Sequence, residues 1–145
     1  GYQYSDPAYF VYGGLVFTIL SLNYLKLWGG FWRNKAPLSL RYLYKHAPFL
    51  EKFNKRKRLV VISHILPHKT NTYSHFALHK VIDTLNETPI LSLQQLYGLM
   101  KNSNKDKLKI TLFDSYKPLV LSRKKLMKYQ KEINTIYGVE PHFRL

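Results

Sequence analysis

Serine and histidine are the residue types through which this sequence could carry hydrolytic chemistry. A serine nucleophile needs a histidine base and an orienting carboxylate, and no serine here stands in a Gly-x-Ser-x-Gly turn. Ser63 and His64 are neighbours, but on the strand predicted there their side chains point to opposite faces. The sequence therefore predicts no catalytic triad within this chain.

Two histidine pairs, His64 with His68 and His75 with His79, have a spacing found among metal ligands. That spacing brings two rings together only when both lie on one helix. His64 lies in a predicted strand, His68 follows Pro67 in a predicted loop, and the second pair has no carboxylate cluster nearby. Because the chain also has no cysteine, we expect no metal site and no cofactor.

The Gly13-Gly14 pair indicates binding rather than catalysis. It is too short for a phosphate-binding loop, but a glycine turn before a strand can direct backbone N–H groups towards an anion. If a helix lies beside that strand, the groove between them can accept an extended peptide as an added strand, with its carboxylate at the turn. The alternative is that Gly13-Gly14 only forms a tight turn.

Apolar periodicity predicts strands and helices mixed along the chain around one core. Strict alternation of polar and apolar residues predicts that 107–112 is a strand with one solvent-exposed face. The other predicted strands are 13–20, 59–66, 81–85 and 118–121, and the predicted helical segments besides the one below are 23–28, 37–46 and 122–137.

One further helix begins at Ser92. Ser92 and Gln95 have the pattern of a capping box, in which each side chain satisfies an unpaired backbone donor. The apolar face of this helix is formed by Leu93, Leu96, Tyr97 and Met100.

Positive charge dominates the composition, with 23 Lys and Arg against 8 Asp and Glu and a formal charge of +15. Such a field favours anionic partners, although lysine-rich faces also serve simply to keep a domain soluble. A nucleic acid or another anionic surface is therefore the alternative partner, and its binding would weaken with salt. The residues that would contact it are Lys52, Lys55, Arg56, Lys57, Arg58, Arg123, Lys124 and Lys125.

The length of 145 residues suits one domain with its own core. The uncharged stretch 7–25 is long enough to cross a bilayer, but glycines, tyrosines and polar residues interrupt it, and we expect no membrane span. Because the sequence starts at Gly1, we expect it to be a fragment of a longer protein with any targeting segment upstream, so it predicts no location in the cell.

The order of these features resembles a PDZ domain of the Deg/HtrA serine protease family. A glycine-opened strand at 12–15 and a buried strand precede residues 81–90, which are similar to that family's V-x-x-V-N-G-x-P-I strand and turn. Residues 91–96 match the family's groove helix. A narrower likeness to the second, C-terminal PDZ domain of eukaryotic Deg proteases covers most of the chain and includes residues 14–18, residues 61–66, the loop Asn71-x-Tyr73 and the basic C-terminal helix.

Two features differ from the family's pattern. Glu87 stands where the family's turn has glycine, and the segment 22–57 separates the glycine-opened strand from the next strand. We expect this segment, the insert, to be helical and either to cover the groove or to form a surface for a partner.

The resemblance implies an α+β, PDZ-like fold over residues 1–145 as a single domain. We expect a small, partly open β-barrel of about five strands with a groove helix, the helical insert 22–57 and a C-terminal helix at 122–137. The resemblance further implies a non-catalytic module of a serine endopeptidase of protein quality control, whose catalytic residues lie upstream. Its partners would be copies of itself in a homo-oligomer, the upstream protease and PDZ domains, and peptide C-termini or unfolded segments.

In such a groove, the backbone N–H groups of Gly13, Gly14 and Leu15 would hold a peptide carboxylate. Val16, Phe17 and Thr18 would pair with the ligand strand, and Tyr12 completes the predicted peptide-binding or carboxylate-binding set on this side. The opposite wall would be formed by Leu93, Tyr97 and Met100. Core packing is an equally good interpretation of two of these wall residues, Leu93 and Met100.

The C-terminal tail carries the apolar pair Phe143 and Leu145. Alternate side chains of an added strand point the same way, so this pair suits a hydrophobic groove. We predict that the tail docks in the groove of a neighbouring subunit. Deletion of residues 143–145 is then expected to lower the mass of the oligomer measured by light scattering, and an unchanged mass would contradict this docking.

Overall fold

The computed structural model describes residues 8–137 and 143–145. Within these ranges it has eight strands and five α-helices, with short 3-10 turns between them. The strands are β1 (Tyr9–Tyr12), β2 (Leu15–Ile19), β3 (Val60–Ile65), β4 (Ile82–Leu85), β5 (Thr88–Pro89), β6 (Lys107–Leu112), β7 (Leu119–Ser122) and β8 (Phe143–Arg144). The helices are α1 (Leu22–Leu25), α2 (Trp32–Lys35), α3 (Leu38–His46), α4 (Leu93–Asn102) and α5 (Arg123–Tyr137).

The strands form two antiparallel sheets of four strands each, with the orders β3-β2-β1-β8 and β5-β4-β6-β7. A bridge between Val61 and Val81 joins the two sheets at β3, and the described strands do not close into a barrel. This confirms the predicted α+β fold. The expected number of strands was too small, because β1, β5 and β8 are not among the predicted strands, and β5 and β8 are only two residues long.

The two faces of β3 support two separate hydrophobic cores. Val60 and Ile62 belong to the main core, which α4 and both sheets share, whereas Val61 belongs to a second core. Successive side chains of a strand point to opposite faces, so the cores lie on opposite sides of β3. The second core is built largely by the insert, from residues that include Leu25, Trp32, Leu40, Leu43 and Phe53.

An aromatic cluster joins the insert to the loop before β4. The hydroxyl of Tyr24 is hydrogen-bonded to Nδ1 of His79, and the ring of Trp28 meets the ring of His79 edge to face at 4.9 Å. His79 has a positive φ of 65°. This cluster fixes the first turn of the insert against the rest of the fold.

Acid is expected to weaken the fold through His79. Burial, and to a smaller extent the charge of nearby His64, lowers the pKa of its imidazole below the ordinary value of 6.5. The unfolded chain then binds more protons than the folded chain near and below pH 6.5, so the free energy of unfolding falls as pH decreases there. We expect the urea concentration at the unfolding midpoint to decrease as the pH is lowered from about 7.5 to about 5.5. His79→Asn should reduce that fall, and an identical fall in both proteins would contradict the assignment.

Ser92 caps the N-terminus of α4, as its position in the sequence predicts. Its Oγ accepts a hydrogen bond from the backbone N–H of Gln95 at 3.1 Å. The side chain of Gln95 reaches back and accepts from the N–H of Leu91 rather than from that of Ser92. The cap therefore sets where the helix beside β2 begins.

The turn between β4 and β5 holds Glu87 in a conformation that favours glycine. Asn86 and Glu87 have positive φ values of 47° and 72°, and Glu87 is exposed. A non-glycine residue in the left-handed region costs about 1–2 kcal/mol, whereas glycine is unstrained there.

Glu87→Gly is expected to stabilise the domain by about 1 kcal/mol, because it removes this backbone strain. Thermal unfolding should show a Tm increase of roughly 4 °C. Glu87→Ala is the matched control, since alanine removes the same carboxylate but keeps the strained conformation. An equal increase in both variants would assign the effect to charge and not to the backbone.

Candidate peptide-binding groove

β1 lies in the predicted groove between β2 and α4. It pairs antiparallel with β2, and Phe10 stands opposite Phe17. The ring of Phe10 stacks on the ring of Phe17 at 4.8 Å and meets that of Tyr97 on α4 at 5.2 Å. Phe10 is completely buried. The position of an extended peptide ligand is therefore taken by the chain itself.

β2 is paired along both of its edges. On the side away from β1 it pairs with β3, with a bulge between Val16 and Phe17. A peptide that adds a strand needs an unpaired edge for its main-chain hydrogen bonds. Val16, Phe17 and Thr18 could therefore pair with a peptide only after β1 has left.

The predicted opposite wall divides into one groove residue and two core residues. Leu93 and Met100 are fully buried in the main core. Tyr97 is partly buried and reaches Phe10. Of the two interpretations, core packing describes Leu93 and Met100 in this structure, while Tyr97 lies at the groove.

The Gly13-Gly14 pair forms a two-residue hairpin turn between β1 and β2. The φ values are 58° and 83°, Tyr12 stands opposite Leu15, and positive φ at both positions is typical of a type I′ turn. The N–H of Gly13 donates to Oε1 of Gln130 on α5 at 3.1 Å. This N–H is therefore already engaged and does not face an open anion site.

α5 covers the glycine turn at van der Waals distance. A Cβ placed on Gly13 would lie 2.4 Å from Cδ2 of Leu126, and one placed on Gly14 would lie 2.6 Å from Cε2 of Tyr129. Contacts this short leave no room for a side chain. The glycines thus permit the close approach of α5, and a peptide carboxylate has no path to the turn from this side.

Asn71, in the loop that follows β3, stabilises the Gly13-Gly14 turn. Its side chain is fully buried, and its Nδ2 donates to the carbonyl oxygens of Gly13 and Leu66, both at 3.1 Å. The N–H of Leu66 donates in turn to the carbonyl of Gly14 at 2.8 Å. The loop that contributes to the family resemblance therefore has a structural role at the turn.

The C-terminal tail adds a strand to the same sheet. β8 pairs antiparallel with β1 of its own chain, with Arg144 opposite Tyr9 and Phe143 opposite Phe10. It lies on the side of β1 away from β2. The predicted docking tail thus forms a strand, but beside the strand that fills the groove rather than in the groove itself.

Two of the residues predicted to contact an anionic partner have structural roles in the fold. The side chain of Arg56 is only 5% exposed and pairs with Asp83 at 2.7 Å. Arg123 donates from Nη2 to the carbonyl of Lys101 at 2.8 Å, at the C-terminal end of α4. The exposed members of the predicted basic set are Lys52, Lys55, Lys57, Arg58, Lys124 and Lys125.

The described part of the chain contains no group of three His, Cys, Asp or Glu that could hold a metal ion. His68 instead lies 3.3 Å from the carboxylate of Glu132 and stacks on the ring of Tyr129. Among the same residues, no helix has the length and apolar character needed to cross a membrane.

The sequence contains a signal for β1 that the predicted elements omit. Residues 9–12 are rich in aromatic and β-branched side chains and run directly into Gly13-Gly14. A strand, two glycines and a second strand are typical of a hairpin with a type I′ turn. This pattern predicts that residues 9–12 pair with β2, but the position of Phe10 beside α4 is seen only in the structure.

Comparison with known proteins agrees with the fold. The model of the PDZ_3 family, described as a PDZ domain, matches residues 2–142. No curated protein matches the chain. PDZ domains bind peptide C-termini and serve as protein-interaction modules, and a PDZ domain alone is not catalytic. Because the match covers nearly the whole sequence, the chain belongs to the PDZ domain family.

Proposed function

We propose that this domain is a non-catalytic module of a Deg/HtrA-like serine endopeptidase of protein quality control. We further propose that it acts mainly in assembly, through contacts with folded domains and other copies of itself. The parentage rests on the collinear resemblance of the glycine-opened strand, the 81–90 strand and turn, and the groove helix. The observation that carries the assembly role is that β1 occupies the groove.

The occupied groove disfavours capture of free peptides. β1 is joined to β2 by two residues, so it competes as an intramolecular ligand with an effective concentration of about millimolar or more. A free peptide must displace this strand and the buried ring of Phe10 before it can pair with β2. α5 also covers one side of the glycine turn, and the N–H of Gly13 is already bonded to Gln130.

Titration of a peptide tests this proposal. The probe is a fluorescein-labelled decapeptide with the sequence of residues 136–145, and the readout is fluorescence anisotropy. We expect no saturable binding at micromolar peptide. Saturable binding accompanied by NMR shifts of β2 and α4 would contradict it.

A locked hairpin supplies the matched control. Val11 and Val16 stand opposite each other on β1 and β2, and the natural chain contains no cysteine that could compete for the new bond. Val11→Cys with Val16→Cys should form a disulfide that holds β1 in place. If peptide binding is seen in the wild type and lost in the oxidised variant, the groove opens by release of β1, and peptide capture replaces assembly as the main function.

Light scattering tests assembly directly. A mass above the 17.2 kDa of one chain that persists from low to high salt is the expected result, because apolar interfaces are not screened. A species of single-chain mass at every concentration would contradict self-assembly. The upstream domains of the protease would then be the remaining assembly partners.

A further inference from the structure

The insert presents a face to solvent that no described part of the chain covers. α3 buries Leu40 and Leu43 in the second core, and its other side carries Leu38 and Tyr42, which are 72% and 43% exposed. Contiguous apolar side chains exposed on one face are a feature of interaction surfaces.

A pocket of about 520 Å³ lies on this face between α2 and α3. Its volume falls in the range of about 300–1,000 Å³ that is typical of ligand sites. The pocket is lined by the apolar side chains of Trp32, Leu38, Tyr42 and Tyr44 and by the cations Arg33 and Lys45. It therefore combines room for an apolar group with positive charge.

The Lys and Arg side chains that line the pocket have no acidic residue among the other lining residues. Residues 22–49 contain five Lys and Arg and no Asp or Glu, and none of the five pairs with a described carboxylate. Arg41, which also lines the pocket, is held by hydrogen bonds from Nε to the carbonyl of Ala36 at 2.8 Å and from Nη1 to that of Arg33 at 2.6 Å. A cation held in place loses little freedom when it binds an anion.

We propose that this pocket binds an acidic peptide segment that inserts one apolar side chain between Leu38 and the surrounding rings. Carboxylates of the segment pair with Arg33, Arg41 and Lys45. The pocket lies on the insert, on the other side of β3 from the groove. The proposal therefore goes beyond the assembly role and does not depend on whether the groove binds peptides.

The ring contacts favour a peptide over a single-stranded nucleic acid. Bases need open aromatic faces on which to stack. Here the guanidinium of Arg33 lies 4.5 Å from the centre of the Trp32 ring, and the ring of Tyr42 lies parallel to that of Phe113 at 6.5 Å. The Tyr42 ring also lies 4.9 Å from the ring of His46, so Trp32 and Tyr42 each already contact a neighbouring group in the fold, and the space between the rings remains for a side chain.

Charge argues against a second copy of this chain as the occupant. A symmetric dimer would place the same surface against itself. That would bring Arg33, Lys35, Arg41 and Lys45 of both copies together without a carboxylate between them. Like charges in contact oppose such an interface.

Fluorescence anisotropy with a synthetic probe tests the proposal. The probe is a labelled hexapeptide in which one phenylalanine is flanked by aspartate and glutamate, and a second probe has serine in place of the phenylalanine. We expect saturable binding of the first probe at low salt. Arg33→Glu with Lys45→Glu should weaken it about tenfold or more, and Leu38→Ser should weaken the first probe but not the second.

Matched variants separate the pocket from the net charge. Lys124→Glu with Lys125→Glu makes the same change of charge on α5, and Leu27→Ser removes a leucine of similar exposure outside the pocket. Both should leave binding unchanged. Equal weakening by the two charge reversals, or no binding of the first probe, would overturn the proposal. So would tighter binding of an oligothymidylate or of phosphatidylserine vesicles that depends on Arg33 and Lys45.

Discussion

Phe10→Ala is expected to lower the free energy of unfolding by about 3–5 kcal/mol. Phe10 is completely buried, and its ring contacts Phe17 on β2 and Tyr97 on α4. Truncation removes apolar burial and leaves a cavity in the groove, because β2 and α4 are fixed by other contacts. A loss of this size is a large part of the roughly 5–15 kcal/mol that stabilises a typical domain. Urea unfolding followed by circular dichroism measures it.

Val11→Ala is the control for Phe10→Ala. Val11 is the next residue of β1 and is only partly buried, so its side chain points away from the groove. We expect a change below about 1 kcal/mol. If both substitutions destabilised the domain equally, the effect would come from the strand as a whole, and Phe10 would not be the residue that fills the groove.

The local elements of this domain follow from its sequence pattern. The apolar run 59–66 predicts β3, which spans Val60–Ile65, and alternation predicts β6 at its observed bounds. Ser92 predicts the start of α4. In each case the signal lies within a few residues of the element, where periodicity and capping chemistry act directly.

The state of the groove depends on contacts between distant parts of the chain. Periodicity identifies the apolar face of α5, but it does not say that Leu126 and Tyr129 pack on Gly13 and Gly14. The pairing of β8 with β1 likewise joins the two ends of the sequence. The resemblance places β2 beside α4 and leaves open which strand occupies the space between them.

The position of the insert also depends on contacts between distant parts of the chain. Its longest helix, α3, is recognisable from Pro37 and the apolar stripe after it, but the sequence alone does not distinguish a lid on the groove from a layer on β3. In the structure, the two faces of β3 pack in different cores, and this decides the question. Val61 points away from Val60 and Ile62 and joins the insert's core, which places the insert on the opposite side of β3 from the main core.

Asp83→Ala is expected to destabilise the domain by about 3–5 kcal/mol, because it leaves the charge of Arg56 buried without a carboxylate to balance it. Asp83 on β4 is 8% exposed. Its Oδ1 lies 2.7 Å from Nη2 of Arg56, whose Nη1 also donates to the backbone carbonyl of Asp83 at 2.8 Å. This pair links the C-terminal end of the insert to the second sheet.

Two further variants identify the buried charge as the cause. Lys52 also pairs with Asp83, at 2.6 Å, but its side chain is 57% exposed, so Lys52→Ala should cost less than about 1 kcal/mol. Arg56→Met with Asp83→Ala removes both buried charges and keeps an apolar side chain near Phe53, over whose ring the guanidinium lies at 4.5 Å. The double variant should recover much of the stability lost in Asp83→Ala. If it were less stable than Asp83→Ala alone, the packing and backbone hydrogen bonds of Arg56, rather than the pairing of its charge, would hold this segment in place.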